Sequence, residues 1–171
     1  MSNNESQKSD YPAEPTLENF IEQQLAEPYI INLLFRSFRN LQAIIQSPLE
    51  ARGHHGVGLA ETRLLLAIDK EGTRINNLAQ RTGTSRQFTS RVVHSLKELG
   101  YVEILPDPGD GRAALVILEE RGWQYFRDMQ EVKYALDATL TNMMGKERMD
   151  SLFATLQDLI QHTDRITSSK M

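Results

Sequence analysis

Residues 78–118 read LAQRTGTSRQFTSRVVHSLKELGYVEILPDPGDGRAALVIL, and their pattern decides the fold of this 171-residue chain. Residues 75–82 predict a short helix with Leu78 and Ala79 facing a core, stopped by Gly83. Thr84 or Ser85 can then supply the N-cap oxygen of a second helix, from about Ser85 to Leu99. Within it Phe88, Val92 and Leu96 recur four apart and Val93 widens the stripe, so these four are expected inside. Arg86, Gln87, Thr89, Ser90 and Arg91 fall on the other face. Gly100 stands where a left-handed C-cap belongs. Residues 101–105 and 114–118 read as two strands, and PDPGDG at 106–111 predicts the turn between them. The sum is helix, turn, helix and a hairpin wing.

The charge pattern gives this device a partner. The whole chain carries a net charge of −4. Yet from Thr73 to Lys97 the charged residues are Arg74, Arg81, Arg86, Arg91 and Lys97, with no Asp or Glu between them. A basic patch on an acidic body, coincident with a helix-turn-helix, is the footprint expected for duplex DNA phosphates. Other chemistries find little support. There are no cysteines, which excludes disulfides and thiolate switches, and the four histidines show no metal-ligand spacing, so no metal is expected. GxSxG, GxxxxGK[ST] and Rossmann glycine patterns are missing, so no enzyme is expected. No apolar run reaches about eighteen residues and the N-terminus lacks a secretory core, which predicts a cytoplasmic protein without a membrane span.

Outward from the motif the chain is helical. Residues 1–16 are polar and predict a disordered leader. Helical signal begins near Leu17, Pro28 interrupts it, and Ile30, Leu34, Phe38, Leu41 and Ile45 form one stripe of a longer helix, expected to end at Ser47-Pro48. Residues 51–58 read as a flexible loop holding His54 and His55. Residues 59–69 predict a helix with Leu65, Leu66 and Ile68 inside, and Thr73-Arg74 allows a very short strand. Beyond the wing, Phe126, Met129, Val132, Leu136, Leu140 and Met143 stripe one helix. Gly145 breaks it, and Met149, Leu152, Phe153, Leu156, Leu159 and Ile160 stripe the last. These stripes exceed what a small core needs, and burial across a two-fold homodimer is the economical use for them; the alternative is a monomer with a separate helical bundle. The expected fold class is therefore mainly α (α+β), a winged helix-turn-helix with a two-stranded wing. Its expected layout is a leader at 1–16, N-terminal dimerization helices at 17–50, the DNA-binding domain at 59–118, and C-terminal dimerization helices at 119–168.

The chain resembles the MarR family of winged-helix transcription regulators. The residues that carry the likeness are Leu78-Ala79, Gly83-Thr84-Ser85-Arg86, Arg91-Val92-Val93 with Leu96, Gly100-Tyr101-Val102, Asp107-Pro108 with Asp110-Gly111-Arg112-Ala113, and the junction from Leu118 to Gly122. The chain departs from the family pattern at Phe88, where a small or polar residue is common, at Thr73, where an aliphatic one is typical, and at Glu119, which weakens the next helix cap. The resemblance implies that the second motif helix enters the major groove. There Arg86 and Gln87 would read bases, while Thr84, Ser85, Ser90 and Arg91 would contact phosphates. Arg91 could instead form an internal salt bridge, with Asp110 as partner. Arg74 and Lys97 are candidate backbone contacts. Arg112 would reach the minor groove from the wing, with Asp110 orienting an arginine. A homodimer would bind an imperfect palindrome as a ligand-responsive repressor. The implied effector is a small aromatic or phenolic molecule, with Phe38, Arg39, His55, Arg63 and Trp123 as candidate contacts and no resident cofactor. The alternative is a winged-helix protein-interaction module without sequence-specific DNA binding.

Overall fold

The computed structural model describes residues 29–107 and 109–168. The expected leader and the expected helix before Pro28 lie outside the described residues. The elements follow the order α1 (Ile30–Ala51), α2 (Leu59–Leu65), β1 (Thr73–Arg74), α3 (Ile75–Thr82), α4 (Arg86–Glu98), β2 (Val102–Asp107), β3 (Asp110–Leu118), α5 (Glu120–Met144) and α6 (Lys146–Ser168). The fold is mainly helical with one small antiparallel sheet, ordered β1-β3-β2. No described helix is long and apolar enough to cross a membrane. The residues fall into two units, one ending at Gln42 and one beginning at Ala43.

In the first unit the described residues belong to the start of α1. Ile30, Ile31, Leu33, Phe35 and Phe38 are each at least half exposed on the single chain. Of the predicted stripe, Ile30, Leu34 and Phe38 are exposed and Leu41 is half-buried, so the open apolar surface also takes in Ile31, Leu33 and Phe35 beside it.

In the second unit α1 does not stop at Ser47-Pro48 but continues to Ala51 with Pro48 inside it. Proline lacks one N–H, yet its carbonyl still accepts, here from the Arg52 N–H at 3.3 Å. Leu49, fully buried, anchors this last turn in the core beside Ile45. The helix α2 is shorter than expected and ends at Leu65. Leu64 and Leu65 are buried, whereas Leu66, expected inside, lies past the helix end and is largely exposed.

The sheet gains a strand over the expected two-stranded wing, because Thr73 and Arg74 pair with Val116 and Leu115 of β3. Thr73 is buried at a position where an aliphatic residue would be routine. Its hydroxyl donates to the Asp69 carboxylate (3.1 Å) and accepts the Asp69 N–H (2.8 Å), so the polar group is satisfied and the turn before β1 is fixed. The wing turn is tighter than the sequence predicts. Pro106 and Asp107 still belong to β2, and β3 already begins at Asp110. β2 is an edge strand, where proline is tolerated, and the register shifts between Pro106 and Asp107. The Asp107 carboxylate accepts the Gly109 N–H at 2.7 Å and braces the turn.

The core collects Leu64, Leu65, Leu78, Val92, Val93, Leu96, Tyr101, Val102, Val116, Tyr125, Met129 and Val132 around α4. The helix ends on paired bonds, Gly100 N–H to the Lys97 carbonyl and Tyr101 N–H to the Leu96 carbonyl, both 2.9 Å, with Gly100 at φ 76°. That is a Schellman closure, and glycine supplies its left-handed residue without steric cost. Tyr101 is thereby buried, and its hydroxyl meets His54 Nδ1 at 2.9 Å. His54 Nε2 reaches Asp128 Oδ2 of α5 at 2.8 Å. A carboxylate can only accept, so Nε2–H is the donor. His54, expected in a flexible loop, is instead a buried link between the end of α4 and α5. Burial raises the Asp128 pKa, but hydrogen bonds from His54 and Gln124 and the charges of His54 and Arg52 outweigh it, leaving the carboxyl below its ordinary value. Nearby, burial pushes the Tyr125 phenol up, against the opposing bond to Thr62.

Candidate nucleic-acid interface

Helix α4 begins at a cap that the sequence specifies. Ser85 is extended (φ −69°, ψ 149°) and its Oγ accepts the Phe88 N–H at 3.2 Å. Thr84, the other candidate cap, serves the turn instead. Its hydroxyl lies 2.8 Å from Thr82 Oγ1 and 2.8 Å from Thr89 Oγ1, a chain of three hydroxyls that knits α3 to α4.

The buried face of α4 is Thr89, Val92, Val93 and Leu96, spaced i, i+3, i+4 and i+7. This corrects the expectation for Phe88, which is 39 % exposed, and for Thr89, expected outside but fully buried. Thr89 fits because its hydroxyl also donates to the Ser85 carbonyl at 3.0 Å, so no polar atom is stranded in the core. Opposite that face, Arg86, Gln87, Ser90, Arg91, His94, Ser95 and Glu98 line one open concavity. The predicted contacts Arg86, Gln87, Ser90 and Arg91 are thus brought together. His94, Ser95 and Glu98 extend the same face by two turns, as the i+4 step from Ser90 and Arg91 requires.

Ion pairs divide the basic window. Arg74 binds Asp107 of the wing, Arg81 binds Asp69 at 2.8 Å, and Lys97 binds Glu103 at 2.6 Å. The Lys97 ammonium, helped by the Ile104 N–H, holds the Glu103 carboxyl below the ordinary carboxylate range. Arg74 and Lys97, both candidates for phosphate contact, are therefore engaged with carboxylates from outside the window. Among the described residues neither Arg86 nor Arg91 pairs with a carboxylate, and the Arg91 guanidinium sits 5.9 Å from the centre of the Phe88 ring. The side chains of Asp110 and Arg112 lie outside the described residues.

The effector candidates are not gathered in the same way. Phe38 and Arg39 are exposed on the first unit's part of α1. His55, Arg63 and Trp123 are exposed in the second unit on three different segments, and Trp123 packs edge-on to Phe126 with centroids 6.1 Å apart. No hydrogen bond or ring contact joins these three among the described residues. The sequence reading missed the buried Tyr101–His54–Asp128 link, because the partners are 47 and 74 residues from His54 and no local period connects them.

Residues 55–113 match the model of the MarR family. No curated protein sequence matches the chain. Among solved structures it is similar to the transcriptional regulator Tm0710 from Thermotoga maritima, at 20 % identity, with 83 % of this chain and 99 % of that one covered and a TM-score of 0.62. It is also similar to a MarR transcriptional regulator from Methanosarcina mazei Go1, at 20 % identity, covering 82 % and 99 % with a TM-score of 0.64. The PcaV transcriptional regulator from Streptomyces coelicolor, in complex with its natural ligand, matches at 16 % identity over 78 % and 93 %, with a TM-score of 0.57. At these identities the likeness to solved structures is one of fold. With the family's own model matched across the helix-turn-helix and into the wing, residues 55–113 are similar to the MarR family of winged helix-turn-helix transcriptional regulators, and the fold around them is shared with solved transcriptional regulators.

Proposed function

We propose that this protein is a sequence-specific DNA-binding regulator that acts as a homodimer and represses from an imperfect palindrome. One observation carries the reading. The outer face of α4 holds Arg86, Gln87, Ser90 and Arg91 together, away from the core and at the capped end of the helix. An arginine can bond guanine through two atoms and a glutamine can do the same with adenine, so Arg86 and Gln87 are the base readers. Ser85, Ser90 and Arg91 contact phosphates, and Arg112 on β3 reaches the minor groove. The similarity to the MarR family supports the dimer, as do Leu152, Phe153, Ile160 and Ile166, all exposed on α6 of the single chain. PcaV, solved with its natural ligand, supports release by a small effector. Aromatic carboxylates are the first ligands to test.

The test is fluorescence anisotropy across a salt series, comparing duplexes from the neighbouring intergenic DNA with scrambled ones. Selective binding with a steep salt slope is expected. Arg86→Ala should reduce the preference for the selected duplex by roughly tenfold, about 1–3 kcal/mol for a lost base contact, with a smaller loss on scrambled DNA. Equal, weak binding of wild type to every duplex would overturn the reading in favour of a protein-interaction module.

A further inference from the structure

We propose that Phe88 reads a thymine 5-methyl group in the major groove, an apolar specificity contact beside the polar readers of α4. The inference rests on the DNA-binding reading above. Phe88 is not a core residue, because the buried stripe passes through Thr89, Val92, Val93 and Leu96 and leaves Phe88 39 % exposed. Nor does it lie on the far side of the helix. At about 100° per residue it sits roughly 60° around the axis from Arg91, on the flank of the reading face. It occupies the first turn, the part of a recognition helix that goes deepest into the groove. Its backbone is fixed there by the Ser85 cap at 3.2 Å. Its ring is held too, with the Arg91 guanidinium 5.9 Å from the centroid. This contact orders both side chains before DNA arrives and cuts the entropy lost on binding.

The chemistry selects the partner. An exposed phenyl ring has no hydrogen bond to offer, and the thymine methyl is the one apolar group that the base edges present in the major groove. Covering that methyl with the ring removes apolar area from both. Cytosine, which has an amino group and no methyl there, gives no such gain. Arg91, beside the ring, is then directed at the adjacent phosphate or base. A ring that merely packed on the arginine stem would show no response to the methyl.

The probe is the tightest duplex that the full-length protein selects from a random library. Each thymine in it is replaced in turn by deoxyuridine, which removes the methyl and nothing else. At one thymine per bound copy, wild type should lose about three- to fivefold in affinity, the scale expected for one buried methyl-sized group. Phe88→Ala should bind the unmodified duplex more weakly by a similar factor and no longer distinguish thymine from deoxyuridine there. Phe88→Leu, still apolar, should keep the distinction, and both variants should melt close to wild type because the ring is exposed. A wild type indifferent to every replacement, or a Phe88→Ala variant as sensitive as wild type, overturns the inference and leaves the DNA-binding reading standing. Failure to select any preferred duplex overturns both.

Discussion

Gly122 has no side chain because there is no room for one. A Cβ at this position would lie 2.6 Å from the Tyr101 carbonyl oxygen and 3.0 Å from Leu118 Cδ2. That carbonyl accepts the Glu119 N–H at 3.0 Å, so it cannot move aside without cost. Gly122→Ala should therefore lower stability by roughly 1–3 kcal/mol, the usual cost of overpacking, measured by denaturant unfolding; an unchanged midpoint would mean that the start of α5 shifts freely. Asp128 offers a pH test at the same scale. Its folded pKa is lowered, so it contributes stability above the unfolded value of about 4, and that contribution disappears as the pH falls through the lower folded value. Asp128→Asn should be less stable than wild type at neutral pH and should show a flatter loss of stability below about pH 4. Parallel curves would deny the carboxylate this role.

At the scale of elements, α4 and the hairpin were legible because their signals are local. Ser85 announces a cap, Gly83 and Gly100 announce the helix ends, and the strands lie between a glycine and a proline-rich turn. Ser85→Ala should cost about 1 kcal/mol of stability, read by thermal unfolding without DNA, so the capping role can be separated from any phosphate contact. Full retention of stability would assign the serine to DNA alone. Two boundaries were misread at prolines, where the surroundings tolerate a residue that usually ends an element. Pro48 sits within α1 because Leu49 is anchored in the core, and Pro106 sits within β2 because the strand is an edge. Phe88 and Thr89 were exchanged for a related reason. Four-residue spacing from Val92 and Leu96 fits Phe88, but three-residue spacing from Val92 fits Thr89 equally, and the hydroxyl partners that let threonine be buried come from Thr84 and the Ser85 carbonyl. The charge window was legible in sign but not in strength, since the carboxylates that engage Arg74, Arg81 and Lys97 come from outside it.

At the scale of the molecule, the stripes on α1 and α6 were legible, but what covers them was not, because a period within one helix says which face is apolar and not what packs on it. Phe153→Asp, at a nearly half-exposed position on α6, should shift the protein from dimer to monomer in sedimentation velocity and cost most of its affinity for a palindromic duplex. A Phe153→Asp protein that sediments like wild type would move the interface elsewhere. One further consequence follows from the buried link through His54. The tail of α4, the His54 segment and the first turns of α5 are clamped at Tyr101, and burial along α5 stops at Val132. The end of α4 and the root of α5 are therefore tied by hydrogen bonds as well as by the core they share, so a tilt of one is felt by the other.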